Sequence, residues 1–515
     1  MWQALKDRAT RATRRKRRRP PPNQTLIARL AGRVPQLYVA ASAALAVLGY
    51  LWLLAFPLLA LYCLVDLPET LMVADTAAGW AWAGAEIAAC GFGATVTFVL
   101  LRLKAQAGTG VEVHRPEAPA LFEQLDTLCG AYGAAPAHRL ALNGEMAIAM
   151  DYVPVNGFPF APRRHLYIGL PLLAALDPEH AKAALARAVG RSSLRNNRVT
   201  GWLHRLHSMW AHYLRAYRRQ PRVARWLLQG CFWPYARGFT ALSRYAVQRD
   251  ELEGDVYALD IVNDRAVAEL IGALSVYPRL LGEHFWPPFQ RLAHKHARPP
   301  MAPFARLLQM LPTLLQRRDL QRWLAEAMTA PQGGRPALAE RLDNIGHTRP
   351  RLPGAAQGLA DRAAPALLGE SLSDLCSRLD QTWLREHAAH WQRRHAKYRH
   401  ERALLKDLNE RARRGGLEPR EAWQHARLVA RHLGRRAAAP LFKRLAAQGD
   451  AEPRRLLEAG RVLLQCADPA GIGALEQAMA LDARCRDQAI GLIAAYRGAQ
   501  AAATADAAMG PAHAA

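Results

Sequence analysis

The sequence predicts a predominantly helical α+β protein. It enters a membrane through an N-terminal transmembrane helical hairpin and ends in a helical-repeat region. Three observations lead there. Two long apolar runs near the N-terminus carry almost no charge. Strand-like alternation is confined to short stretches, HRLALNGEMAIAM and RRHLYIGLPLL, while most of the remaining chain spaces its apolar residues as a helix does. After Gly415–Gly416, like positions recur 34 residues apart, pairing Trp423 with Leu457, Arg427 with Arg461, Leu428 with Val462 and Leu441 with Leu475.

The chain has 515 residues, 51% of them hydrophobic, enough for several cores and roughly two to four domains. Its formal net charge is +26. That suits an anionic partner, although Arg is abundant throughout and much of the excess stands in for Lys. The seven cysteines (Cys63, Cys90, Cys129, Cys231, Cys376, Cys466 and Cys485) are scattered, with no CxxC among them. This spacing indicates reduced thiols in a cytoplasmic setting rather than a disulfide framework or a zinc knuckle.

Residues 1–35 read as an exposed basic arm, because RATRRKRRRPPP is too densely charged for a packed helix. Residues 36–104 read as two transmembrane helices. Leu37 to Val65 is uncharged, and Gly79 to Leu101 carries only Glu86. Each exceeds the ~20 residues that a bilayer core requires. The connecting DLPETLMVAD is short and acidic, and Arg102 and Lys104 follow the second run. Positive-inside logic then leaves both ends cytoplasmic, a multi-pass arrangement in the cell inner membrane. Pro57 is expected to kink the first span. Glu86 has two readings, a polar contact between the spans or with a partner, and a side chain reaching the headgroups.

Residues 108–345 read as one domain. PALFEQLDTLCGAYGA has helical spacing, and LDPEHAKAALARAVGRSSLRNN opens as a helix should. Asp177 suits an N-cap, Pro178 the first helical position, and Glu179 the positive helix end. Leu185, Val189 and Leu194 then share a face, and Arg187 and Arg191 stand one turn apart.

This layout resembles the M48 family of membrane zinc metallopeptidases, which includes HtpX-like and CAAX-prenyl-protease-like members. The family pattern is a strand ending in IGLPLL, then LSPEE, then a helix bearing HExxH. The chain has YIGLPLLAALDPEHAKAALARAVGR in that order, and about sixty residues on RDELEGDVYALD sets Glu251 and Asp255 in the places of the family's ExxxD. The resemblance covers roughly Gly108 to Leu342 and implies a gluzincin-like fold.

What it implies about chemistry is a degenerate site. The HExxH positions read Arg187, Ala188, Val189, Gly190 and Arg191. In the family two His and a downstream Glu hold zinc, and the Glu inside the motif takes a proton from the bound water. A guanidinium offers donors and no lone pair, and an alanine accepts no proton. Arg335, in GGRPALAERL, also stands where relatives carry a further His. Only Glu251 survives as a ligand-type residue, with Asp255 beside it. The implied result is no catalytic residue, no metal and no cofactor, with Arg187, Arg191 and Glu251 forming a charge-compensated cluster.

An active zinc peptidase with displaced ligands is the alternative. Its ligands would come from His204, His207 and His212, or from Glu386, His387, His390 and His395. The bland reading makes these surface groups on amphipathic helices, and His284, His294 and His296 are likewise expected to be exposed. The Trp- and Tyr-rich stretches between Asn196 and Asp255 suit either an interfacial surface or an aromatic core.

Residues 370–498 read as a helical, tetratricopeptide-like (TPR-like) region that offers a protein or peptide partner a binding surface. Residues 499–515 read as a disordered tail. The partners expected are the lipid bilayer, anionic lipids through the basic arm, and a protein or peptide through the repeats. No nucleic-acid motif is present, so no specific nucleic acid is expected. Function then divides between a membrane-anchored pseudopeptidase scaffold, an active peptidase, and a basic membrane-surface adaptor.

Overall fold

The computed structural model describes residues 35–101, 108–155, 158–193, 198–218, 232–329, 335–353, 361–448 and 452–508. The basic arm up to residue 34, the flanking Arg102 and Lys104, Leu194 and Cys231 lie outside them. The chain divides into two compact units: residues 1–290 with 300–386, and residues 291–299 with 387–515.

In the first unit α1 (Pro35–Met72) and α2 (Ala77–Leu101) form the hairpin. Both are long and apolar enough to cross a membrane. α1 runs through Pro57 and Pro68, so most of the acidic connection is helical and only residues 73–76 turn the chain. Leu61, Leu64, Val65, Trp80 and Trp82 point outward and are more than half exposed, as lipid-facing side chains of such a pair would be. Glu86 is buried against this pair, 6% exposed, and its Oε1 accepts from Trp82 Nε1 at 3.1 Å. This bond lies within α2, between residues one turn apart, and is not a bond between the spans.

The small sheet is mixed. β1 (Val111–Glu112), β2 (Arg139–Asn143), β3 (Ile148–Val155) and β4 (Phe158–Gly169) lie in the order β1-β2-β4-β3. β2 is parallel to β4, with Arg139 opposite His165, and β3 is antiparallel to it, with Ile148 opposite Ile168. Before β2 comes α3 (Pro119–Tyr132). The LPLL that ends the strand-like run is helical instead, as α4 (Leu170–Ala175), with Pro171 in the first turn, where a missing N–H costs nothing.

Next come α5 (Pro178–Arg191), α6 (Arg198–Arg218) and α7 (Phe232–Leu259). The aromatic residues of α6 and α7 form a core against the first half of α1. Trp210, Tyr213 and Phe239 are buried, Tyr50 stacks on Trp202, and the Tyr235 hydroxyl donates to the Leu45 carbonyl at 2.9 Å. The core reading therefore holds for these rings, and the surface they cover belongs to a helix long and apolar enough to cross a membrane. α1 is ~57 Å long at 1.5 Å per residue, well beyond a bilayer core, so it has length to spare for this contact.

The unit continues with α8 (Asp264–Leu280), a wide turn at Leu281–Phe285, α9 (Trp286–Arg291), α10 (Pro303–Leu315), α11 (Asp319–Thr329), α12 (Leu338–Asn344) and α13 (Ala363–Leu368). Asp380, on the long α14 (Leu372–Arg414), accepts from the Phe304 N–H at 2.6 Å and so caps α10. His284 is half-buried and stacks on Trp323 rather than standing exposed.

The second unit takes the C-terminal part of α14 and then α15 (Pro419–His432), α16 (Arg435–Ala447), α17 (Pro453–Gln465), α18 (Ala470–Leu481) and α19 (Arg486–Ala508). α14 also holds residues 291–299. Trp391 Nε1 donates to the His296 carbonyl at 3.0 Å, His395 Nδ1 to the Ala293 carbonyl at 2.7 Å, and His294, half-buried, stacks on Tyr398. α15 and α17 begin 34 positions apart, and Trp423, Phe442, Leu456 and Val462 are buried in one core between the hairpins. α17 and α18 approach so closely that a Cβ on Gly471 would lie 2.7 Å from the Gly460 carbonyl. The tail expected to be disordered from Ala499 is helical through Ala508, in keeping with the high helix propensity of its alanines.

Candidate functional site

α5 is buried on nearly every face from Ala183 to Gly190, which its small residues permit. Pro178 opens it as expected. Asp177 takes the N-cap position but makes no capping bond. Its carboxylate accepts from Arg362 Nη1 at 3.0 Å. Glu179 accepts from Asn263 Nδ2 at 2.5 Å.

Across from α5 lies α7, and two glycines set the distance between them. A Cβ on Gly190 would stand 2.6 Å from Tyr257 Cβ, and one on Gly254 would stand 2.6 Å from Arg191 Cδ. The helices therefore cross where each lacks a side chain, and the two arginines pass over Gly254. Two further bonds hold α7 in register: Tyr132 Oη donates to the Tyr257 carbonyl at 2.5 Å, and Asn344 Nδ2 to the Leu252 carbonyl at 3.0 Å.

This crossing brings together Arg187, Arg191, Glu251 and Asp255. Arg187 Nε donates to Asp255 Oδ1 at 2.7 Å, and Arg187 Nη2 pairs with Glu251 Oε2. Arg191 Nη1 donates to Glu251 Oε1 at 2.9 Å, and Arg191 Nε to Asp250 Oδ2 at 2.6 Å. Arg341 of α12 closes one end of the ladder with a fork on Asp255, Nε to Oδ2 at 2.8 Å and Nη2 to Oδ1 at 2.7 Å. Two buried guanidinium groups, Arg187 and Arg341, and the half-buried one of Arg191 thus face three carboxylates. Asp250 and Asp255 have no exposed surface.

His204 closes the other end. Its Nε2 lies 3.4 Å from Arg191 Nη2, and its Nδ1 lies 3.4 Å from Asp250 Oδ2. Burial, and then the charge of Arg191, push this ring down to about 4, so it is neutral at pH 7. Burial alone would raise the Glu251 carboxyl. Arg187, Arg191, Arg341 and Arg335 outweigh that and hold it well below the carboxylate range. Arg191 is raised against its own burial by Glu251 and Asp250. Arg335 is exposed and acts on Glu251 only through its charge.

The donor chemistry does not fit a metal ion. Arg187 and Arg191 have no lone pair to give, and both oxygens of Glu251 are already engaged. Ala188, buried beside them, has no acceptor for a proton. The other histidines do not converge. His207 Nδ1 is 2.7 Å from Ser243 Oγ, while His212 Nε2 is 2.8 Å from Asp151 Oδ2. On α14, Glu386 and His390 are exposed and His395 is bound to the Ala293 carbonyl. Among the described residues no three His, Cys, Asp or Glu side chains stand together as a metal-binding group.

Sequence reasoning did not single out Asp250, Arg341 or the part played by His204. Charge balance could have found the first two, since two buried arginines against one glutamate call for further carboxylates.

Two predictions concern this centre. Glu251→Ala is expected to destabilise the protein by about 3 kcal/mol, because it leaves Arg187 and Arg191 side by side without their shared anion. Replacing Arg191 by Met and Glu251 by Leu together should cost less than the sum of the single changes, measured by thermal melts of the full chain in detergent. The second concerns pH. Because the folded His204 has a lowered pKa, the unfolded chain takes up this proton first. Its stabilising contribution is complete above about 6.5 and is lost as the pH falls toward about 4, by roughly 3 kcal/mol. His204→Gln should therefore show a smaller fall in Tm than the unmodified chain between about pH 7 and about pH 5. An equal fall would remove His204 from the balance.

No family model, no curated protein and no solved structure matches the chain, so the centre is read from its own residues.

Proposed function

We propose that this chain is a membrane-anchored M48-like pseudopeptidase that serves as a binding or regulatory scaffold without a functional zinc site. One observation carries the reading. The residues at the family's three ligand positions, Arg187, Arg191 and Glu251, lie on two crossing helices and bind one another. Ala188, at the position of the base, carries nothing that could activate water. On this reading residues 108–345 form the peptidase-like domain, and a guanidinium pair occupies the place of the cation.

The hairpin supplies the anchor. We place the chain in the cell inner membrane with both ends cytoplasmic, the basic arm against anionic lipids, and the TPR-like hairpins free to bind a protein or peptide. A zinc enzyme with displaced ligands gains no support, because His204 lies against Arg191 and Asp250, His207 against Ser243 and His212 against Asp151.

Metal content tests the central claim. Detergent-purified protein should hold no stoichiometric zinc and cleave no casein-like substrate. Changing Arg187→His, Ala188→Glu and Arg191→His together should restore the donor set around Glu251, and the variant should then take up about one equivalent of zinc. A folded variant that takes up none would show that these helices are not a metallopeptidase frame. Zinc in the unmodified protein, removable by chelator together with activity, would overturn the scaffold reading.

Topology is checked separately. Asp75 is exposed in the turn between the spans. In intact cells Asp75→Cys should react with an impermeant maleimide from outside, whereas a cysteine placed in the C-terminal tail should not.

A further inference from the structure

α15, α17 and α19 begin at Pro419, Pro453 and Arg486, successive steps of the helical repeat. Such stepping brings like positions of neighbouring hairpins onto one face. Arg427 and Arg461, one period apart, both line a single open pocket of about 530 Å³. Arg454 and Arg484 line it as well, and Leu457 with the buried Cys485 contributes an apolar floor. The lining carries two carboxylates. Glu458 is held by Arg427 at 2.6 Å, and Asp482 accepts from the backbone N–H of Arg484 at 2.9 Å. Arg454, Arg461 and Arg484 are exposed and make no ion pair among the described residues.

We propose that this groove binds an acidic segment of a partner protein. The inference rests on the reading of the repeats as a protein-binding surface and names the chemistry of what they bind. The unpaired guanidinium forks take the partner's carboxylates, for which their geometry is matched. An apolar side chain between those acids lies on Leu457 and Cys485. A nucleic-acid strand fits less well. Its phosphates are acceptors only and would meet both carboxylates, and no aromatic ring lines the pocket to stack a base.

The test uses the full chain in detergent and a short fluorescein-labelled peptide of Asp, Glu and Leu, followed by anisotropy. One peptide should bind per chain, and binding should weaken as salt is added. Arg454→Glu combined with Arg461→Glu should weaken binding by about tenfold or more, while Arg461→Lys, which keeps the charge, should lose far less. If the glutamate pair does not melt like the unmodified chain, Arg454→Gln with Arg461→Gln takes its place. Equal binding by the unmodified chain and the double variant would overturn the groove as the site while leaving the repeats a protein-binding surface. No binding at low salt would overturn the proposal, as would displacement of the peptide by a single-stranded oligonucleotide at lower concentration. None of these outcomes touches the zinc content that decides the scaffold reading.

Discussion

The position of Glu251 between Arg187 and Arg191 is the contact on which the centre of the first unit depends. Neither arginine could stay buried alone, since an unpaired guanidinium in such surroundings costs several kcal/mol. Glu251 meets both, and the ladder extends from it to Asp250 at one end and to Asp255 and Arg341 at the other. α5, α7 and α12 are joined there by charge-assisted bonds, where most of the surrounding core is joined by apolar contact. Gly190 and Gly254 make the arrangement possible, because the helices must approach closely before side chains one turn apart on each can interleave.

Both ends of α7 are engaged. Near its start Tyr235 and Phe239 pack on the first half of the long apolar helix α1. Near its end Asp250, Glu251 and Asp255 hold the ion-pair ladder. One uninterrupted helix of 28 residues therefore links the surface of the hairpin to the polar centre. The aromatic residues that suit a bilayer boundary serve here as packing for a helix whose other half remains exposed and apolar.

Much of this was legible in the sequence, for identifiable reasons. Two long apolar helices, a helix opening at Pro178 and a 34-residue step each follow from local patterns, namely run length, capping residues and period. The meeting of Arg187 and Arg191 with Glu251 was legible because i, i+4 spacing on two helices aims each pair at one face. What was missed depends on how helices cross. Asp250 lies next to Glu251 in sequence, and only the antiparallel register with α5 turns it toward Arg191. Arg341 sits in AERLDN, and nothing local in that stretch points to Asp255 until α12 is laid against it. His204 read as a surface group or a zinc ligand, whereas it is a neutral ring closing an ion-pair ladder. The acidic connection of the hairpin read as a loop, yet α1 continues through Pro68 to Met72.

A cation that belongs to the chain has a thermodynamic consequence. A bound metal stabilises a fold by mass action, so its contribution varies with the free ion concentration and vanishes under chelation. The guanidinium groups of Arg187 and Arg191 have no dissociation constant. Their local concentration is set by the backbone and stays the same in metal-replete and metal-starved surroundings. The polar centre of this fold is therefore complete as soon as α5, α6, α7 and α12 have met.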